Sequence, residues 1–354
     1  MNGAAPARIA LLGIGNVGGA VLARLSHWRE GAGGTALELA YAADSRRAYC
    51  PEAALAPQQR LHPVGDAVPL ARITGRLGTR GTRIVVDATA SDDVAAAHAS
   101  WLASGVHVVT ACKLGQGGTL ARWRGIRDAG ERAGTRYGDR ATVGAGLPLL
   151  DTLRALQAGG DRIHGFAGVL SGSLAWLLDR HDGRRPFSAL VDEARVAGYT
   201  EPDPRDDLSG ADVRRKLLIL ARAAGVLLDE VDVDVAPLPA LDATMQAQFD
   251  EAHRRGARLQ YVARLQHADG RWHARVGLEA LRTGDPLASG GGTDNRLAIW
   301  SDRYRERPLL IQGPGAGAGV TAAALLDDAL RMAREARTPR VRATRKPLPA
   351  SIPA

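Results

Sequence analysis

Lysine is nearly missing from this chain. Of its 46 lysine and arginine residues only Lys113, Lys216 and Lys346 are lysines. Arginine stays charged at any relevant pH, whereas an amine can give and take a proton. General charge is therefore carried by guanidinium, and the two interior lysines become candidates for proton chemistry. Cysteine is scarce as well. Cys50 and Cys112 cannot make a disulfide framework or a four-ligand zinc site, and they fit a reducing, cytoplasmic setting. Aromatic residues make up only 4%, and the arginines are scattered. Few side chains are left to stack on bases, so the net charge of +8 points to an anionic small molecule rather than to nucleic acid. No apolar run is long enough to cross a membrane as a helix, and the first apolar run reads as a strand rather than a signal peptide. What is present is a globular composition: 354 residues, 45% hydrophobic, enough for two domains.

Residues 8–13 (R-I-A-L-L-G) read as a strand running into G-I-G-N-V-G-G-A. Gly13, Gly15 and Gly18 match G-x-G-x-x-G, and a helix-like run follows to about Arg29. This spacing allows a tight turn, close approach of backbone to a pyrophosphate, and close helix–strand packing. It marks a candidate dinucleotide site, against the plainer reading of a glycine-rich turn without a ligand. The next strand, about Leu37–Ala43, ends at Asp44-Ser45-Arg46-Arg47. An acid there suits the ribose hydroxyls of NAD, and an arginine suits the 2′-phosphate of NADP. Both are present. Residues 48–80, broken by prolines, read as loop. Residues 83–91 read as a buried strand and its turn, with Thr89 and Ala90 at the edge where a doubly wound sheet places ligands. A helix over about Asp92–Ala103 and a strand through V-H-V-V-T-A-C-K put Lys113 just past another strand end, where the alternative is a solvated loop lysine. Further on, the pattern predicts a helix over 115–134, a strand from 136 into A-T-V-G-A-G-L-P-L-L, a strand over 162–170, and helices over 173–180 and 187–197. Residues 258–312 read as β-rich, and G-P-G-A-G-A-G at 313–319 leads into a helix from about Val320 to Glu335. The Arg/Pro-rich remainder is expected to be disordered.

One stretch, Gly198–Leu220, organises the second half. Pro202 and Pro204 predict an extended, stiff loop carrying Glu201, Asp203, Asp206 and Asp207. Ser209 and Asp212 have the form of a capping box, and Val213, Leu217, Leu220 and Ala224 make a helical apolar stripe. Asp212 and Lys216 stand one turn apart on the same face. That is an ordinary surface ion pair, or a carboxylate and an amine held side by side over a pocket.

The motifs, in order, resemble one family, homoserine dehydrogenase. They are G-I-G-N-V-G-G-A (13–20), D-A-T-A-S (87–91), V-V-T-A-C-K (108–113), T-V-G-A-G-L-P (142–148), G-V-L-S-G-S-L (168–174), the long G-Y-T-E-P-D-P-R-D-D-L-S-G-A-D-V-R-R-K-L-L-I-L-A-R (198–222) and Q-G-P-G-A-G (312–317). Coverage runs over about residues 8–335, with nothing resembling an aspartokinase half and no regulatory ACT domain expected. The resemblance implies an NAD(P)-dependent interconversion of L-homoserine and L-aspartate 4-semialdehyde in threonine and methionine biosynthesis. It implies that Lys216 moves the proton and that Lys113 lies between nicotinamide and substrate. It further implies that Glu201 and Asp212, with Asp207 beside them, hold the substrate. Gly13, Ile14, Gly15, Asn16, Val17, Gly18, Arg46, Thr89, Ala90, Lys113, Gly198 and Gly317 fall at cofactor positions, with NADP expected over NAD. A monovalent cation is implied on the carbonyls of Val143, Ala145 and Leu147. Two residues depart from the pattern: Cys112 stands where the family usually has Asn, and Arg140 where it often has Glu.

The fold class that follows is α/β. A Rossmann-type, doubly wound dinucleotide-binding domain (residues 1–148 with 313–336) is joined to an α+β catalytic and dimerisation domain (149–312), and residues 337–354 form a basic tail. A homodimer is implied, with no nucleic-acid or membrane partner. A non-catalytic NAD(P)-binding sensor and a dehydrogenase of a related amino-acid semialdehyde remain as other readings of the same residues.

Overall fold

The computed structural model describes residues 5–30, 36–49, 51, 63–200, 203–239 and 242–335. Cys50, Glu201, Pro202 and the basic tail lie outside them. The first half builds a sheet from β1 (Ala7–Leu12), β2 (Leu37–Ala43), β3 (Arg47–Tyr49), β4 (Pro63–Asp66), β5 (Arg83–Asp87), β6 (His107–Thr110) and β7 (Tyr137–Gly138), in the order β4-β3-β2-β1-β5-β6-β7. Strands β2, β1, β5, β6 and β7 are parallel, and β3 and β4 add an antiparallel edge. Alternation of side chains decides the layers. Ile9 and Leu11 of β1, Ile84 and Val86 of β5 and Val109 of β6 enter one apolar cluster, whereas Ala10, Leu12, Val85 and Val108 enter the opposite one.

On the first face lie α1 (Asn16–Glu30) and the helix over Ala318–Glu335, which returns from the far end of the chain. On the other face pack α2 (Ile73–Arg76), α3 (Asp92–Ala103) and α4 (Leu120–Ala133). The chain leaves β1 for β2 on one side and then for β5 on the other, so a crevice opens at the carboxyl ends of β1 and β5.

The second sheet is built from β8 (Ile163–Val169), β9 (Val233–Val235), β10 (Ala257–Ala268), β11 (Arg271–Arg282), β12 (Asp294–Ser301) and β13 (Leu309–Pro314), in the order β13-β12-β8-β10-β11-β9. It is antiparallel except where β9 joins β11. One face is covered by α5 (Leu149–Ala158), α6 (Gly172–Arg180), α7 (Phe187–Val196), α8 (Pro204–Leu208), α9 (Ala211–Ala223) and α10 (Asp242–Arg254). Helix α9 buries Val213, Leu217, Leu218, Ile219 and Leu220 in this core, each contributing about 1.5–3 kcal/mol. The returning helix, α11 (Ala318–Glu335), follows directly on β13.

Several sequence expectations change. The stretch after β2 holds two short strands and α2; all four residues of β4 are exposed, so no apolar alternation marked it. The strand expected from 136 pairs over only two residues. The run expected to be extended contains α8, because Asp203 caps it by accepting the Arg205 N–H, and Pro204 sits at the first turn, where a missing N–H costs nothing. Ser209 and Asp212 form no capping box. The cap of α9 is Gly210 at φ 75°, and a side chain there would strike the Tyr261 hydroxyl. Ser209 Oγ instead bonds the Asp206 carbonyl, and Asp212 turns away to the lysines.

Gly18 carries the contact between α1 and the first turn, since a Cβ there would lie 1.9 Å from the Gly13 carbonyl oxygen. Gly18→Ala is expected to lower the urea-unfolding stability by about 1–3 kcal/mol. An unchanged midpoint would contradict that packing.

Candidate active site

Each glycine of the first motif does a different job. Gly13 turns the chain at φ 87°, with a hypothetical Cβ 2.9 Å from both the Ala88 carbonyl and Thr89 Cγ2. Gly18 lets the helix approach. Gly15 would meet nothing within 4 Å, so the space beside it is open. Ile14, Asn16 and Val17 line the start of α1, whose unpaired N–H groups suit a pyrophosphate. At the end of β2, Asp44 Oδ1 accepts the N–H groups of Arg46 and Arg47, each at 2.7 Å, and Oδ2 accepts the Tyr49 hydroxyl at 2.5 Å. The Arg46 and Arg47 side chains are exposed.

Beneath the crevice lies a polar network that sequence reasoning missed. Asp87 is fully buried at the end of β5. Its Oδ1 accepts the Thr89 N–H (2.9 Å) and hydroxyl (2.7 Å), and its Oδ2 pairs with His98 Nε2 (3.0 Å) and the Thr110 hydroxyl (2.9 Å). His98 Nδ1 meets the Tyr137 hydroxyl at 2.9 Å, and Thr110 Oγ1 accepts the Cys112 N–H at 2.8 Å. A buried carboxylate is tolerated only when its lone pairs are filled, and here they are. The network thus ties Thr89 to the segment bearing Lys113. The available signal was a lone acid ending an apolar strand, R-I-V-V-D. Ala90 is exposed beyond Thr89. Cys112 is buried, and its thiol faces the Ser91 carbonyl at 3.9 Å. Burial, with Asp87 nearby, pushes the thiol up to about 11, so it remains protonated at neutral pH.

The loop after Lys113 is pressed onto α9. A Cβ on Gly117 would be 2.9 Å from Arg215 Cβ and from the carbonyls of Arg215 and Lys113. The buried Arg222 guanidinium donates to the carbonyls of Gln116, Gly118 (2.8 Å) and Leu228 (2.9 Å). Burial lowers Arg222 to about 10, partly offset by Asp229 and Glu230, so the group stays charged at neutral pH. This docking brings the two lysines to one acid. Lys216 Nζ stands 2.8 Å from Asp212 Oδ2, and Lys113 Nζ 3.5 Å from Asp212 Oδ1. Lys216 also donates to the Leu170 carbonyl at 2.7 Å, which fixes its amine. Burial alone would push Asp212 up; Lys216 and then Lys113 outweigh it and hold the carboxyl well below the usual carboxylate range. Close by in the chain, Ser173 Oγ donates to Asp207 Oδ1 at 2.9 Å.

Other expected positions stand on their own loops. Gly198 ends α7 at φ 74°, with Tyr199 N–H bonded back to the Ala194 carbonyl. Gly317, at φ 129°, opens α11 and accepts from Thr321. Glu201 lies outside the described residues. Val143, Ala145 and Leu147 form the turn before α5, where Gly144 (φ 75°) and Ala145 (φ 52°) are both left-handed. The alanine costs on the order of 1 kcal/mol there. Leu147 N–H closes the turn onto Gly144 O at 2.9 Å, and Leu147 O accepts the Leu149 N–H at 2.8 Å. At the entry to this turn, Arg140 Nε pairs with Asp151 at 2.6 Å and Asp328 at 3.3 Å. A guanidinium at that entry does not fit a cation on the following carbonyls.

A model of the NAD-binding domain of homoserine dehydrogenase matches residues 13–138, and the homoserine dehydrogenase model matches residues 148–330. The bifunctional aspartokinase/homoserine dehydrogenase 1 of Arabidopsis thaliana is 41% identical over 268 residues, covering 71% of this chain and 29% of that protein. The chain thus spans under a third of that relative's length. The homoserine dehydrogenase of Paracoccidioides brasiliensis is 34% identical over 279 residues, 71% of this chain and 74% of that protein. Among solved structures, a Candida auris protein of unknown function has a TM-score of 0.83 at 30% identity, covering 94% of this chain and 99% of that one. A putative homoserine dehydrogenase from Archaeoglobus fulgidus has a TM-score of 0.77 at 25% identity, covering 92% and 99%. With family models matching residues 13–138 and 148–330 in chain order, and a homoserine dehydrogenase 34% identical over 74% of its own length, the chain belongs to the homoserine dehydrogenase family.

Proposed function

We propose that this protein catalyses reversible hydride transfer between L-homoserine and L-aspartate 4-semialdehyde, with NADP as the redox partner. The observation that carries the reading is Asp212 standing between two amines, with Lys216 fixed by the Leu170 carbonyl. The bound nicotinamide supplies or accepts the hydride. Negative charge then develops on the substrate oxygen during reduction, and a positioned donor must meet it. Lys216 gives that proton in reduction and takes it back in oxidation. Lys113, on the cofactor side of Asp212, polarises the same oxygen. Asp212, Asp207 and Glu201 orient the substrate, Glu201 through the ammonium. In this reading the first sheet with α11 holds the dinucleotide, and the second sheet with its helices holds the substrate. A homodimer through the open face of the second sheet belongs to the same reading. A recess of about 420 Å³ lies on that sheet, lined by His164, Phe166, Arg264, Gln266 and Trp300, away from both lysines.

NADP is favoured over NAD by the end of β2. Asp44 already accepts three hydrogen bonds from its own turn, and Arg46 and Arg47 beside it are exposed and free to meet a 2′-phosphate.

Lys216→Ala should lose roughly 10²–10⁴-fold in homoserine-dependent reduction of NADP, followed at 340 nm. A variant with near-parental turnover would remove Lys216 from the mechanism. Replacing Arg46 and Arg47 together by Ala should cut kcat/KM for NADP by about 10–100-fold and leave that for NAD nearly unchanged, as expected for one lost charge-assisted contact. Equal losses with both cofactors would refute the assignment. Light scattering should give twice the chain mass, and a monomer at assay concentration would exclude the dimer.

A further inference from the structure

We infer that the charge at the Val143–Leu147 turn is built into the chain, with the Arg140 guanidinium doing there what a bound alkali-metal cation would do, and that the turn therefore binds no cation. The turn is flanked in the chain by Asp139 and Arg140 on one side and Asp151 on the other, which join a group of carboxylates and guanidinium groups. Asp139, 1% exposed, takes both arms of Arg154 at 2.7 and 2.6 Å. Asp328, also 1% exposed, takes Arg331 at 2.6 Å, the Arg140 side chain at 3.3 Å and the Arg140 N–H at 3.2 Å. Asp151, in the first turn of α5, pairs with Arg140 at 2.6 Å and lies 3.9 Å from Arg331. Asp139, Asp151 and Asp328 are matched one for one by Arg140, Arg154 and Arg331.

No net negative charge is left over to attract a cation. An acid at position 140 would reverse this balance, leaving four carboxylates against two guanidinium groups, with Asp139 and Asp328 buried, where uncompensated charge is costly. A mobile cation would then be needed. Arg140 removes that need, and it does so through a group that also ties three parts of the fold together. Its backbone opens the turn, Asp151 begins α5, and Asp328 belongs to the returning helix α11. The left-handed pair Gly144–Ala145 is also braced by the chain's own contacts. The Leu147 N–H closes onto Gly144 O, and Leu149 packs where a Gly144 side chain would be.

A ligand that binds only the folded state raises the thermal midpoint as its concentration rises. The test compares the full chain in NaCl, KCl and choline chloride at equal ionic strength, reading the thermal midpoint and, separately, the initial rate of homoserine oxidation. The expected result is the same midpoint and the same rate in all three salts. A midpoint or rate that rises selectively with sodium or potassium overturns the inference. The midpoint needs no turnover, so it remains decisive even if the proposed reaction fails. Arg140→Glu should have a lower midpoint in choline chloride that recovers selectively in NaCl or KCl. If that variant does not fold in choline chloride, its refolding yield in the three salts reads the same quantity. Equal destabilisation or equal yield in every salt would also overturn the exchange of guanidinium for cation.

Discussion

The docking of the loop after Lys113 onto helix α9 is the contact on which the site depends. Lys113 lies on the loop that leaves β6 of the first sheet, whereas Lys216 and Asp212 belong to α9, in the helical layer of the second. They share one carboxylate only because Gly117 has no side chain to hold the loop away from Arg215, and because Arg222 gathers the carbonyls of Gln116, Gly118 and Leu228. Taking a guanidinium out of water is costly, and the cost is offset here by hydrogen bonds to three backbone carbonyls. The same bonds fix the distance between the two lysines.

Charge is divided by chemistry throughout the molecule. Buried and half-buried arginines serve structure: Arg222 joins the layers, and Arg140, Arg154 and Arg331 neutralise the carboxylates around the turn before α5. Their forked, permanently charged groups suit fixed pairing with carboxylates. The two described lysines stand together on Asp212, where the proposed reaction moves its proton. Asp212 keeps its charge between them, so it aligns both amines without competing for the proton.

The cofactor side is supported in a similar way, from below. Asp87, His98, Tyr137 and Thr110 form a continuous hydrogen-bonded chain under the carboxyl ends of β5 and β6. Through Thr89 and the Cys112 N–H it sets both loops that face the crevice. Cys112 therefore enters the site as a packed, protonated side chain with its backbone held by Thr110.

By itself, the sequence determined what short-range patterns can encode. The first glycine motif, the apolar strands β1 and β5, the helix over 92–103, the Asp212–Lys216 pair and the family to which the chain belongs were all legible, because spacing, turn chemistry and quoted motifs reside in neighbouring residues. Local readings failed where tertiary contacts chose otherwise. Ser209 looked like a cap, but the packing of Tyr261 requires Gly210 there, and Asp212 turned to the lysines instead. Only the folded chain could bring Arg222 to Gln116, His98 to Asp87, and Arg140 to Asp328, pairs separated by 106, 11 and 188 residues. Such partners leave no periodic trace in a single sequence, since the burial that makes their pairing obligatory exists only once the layers have closed.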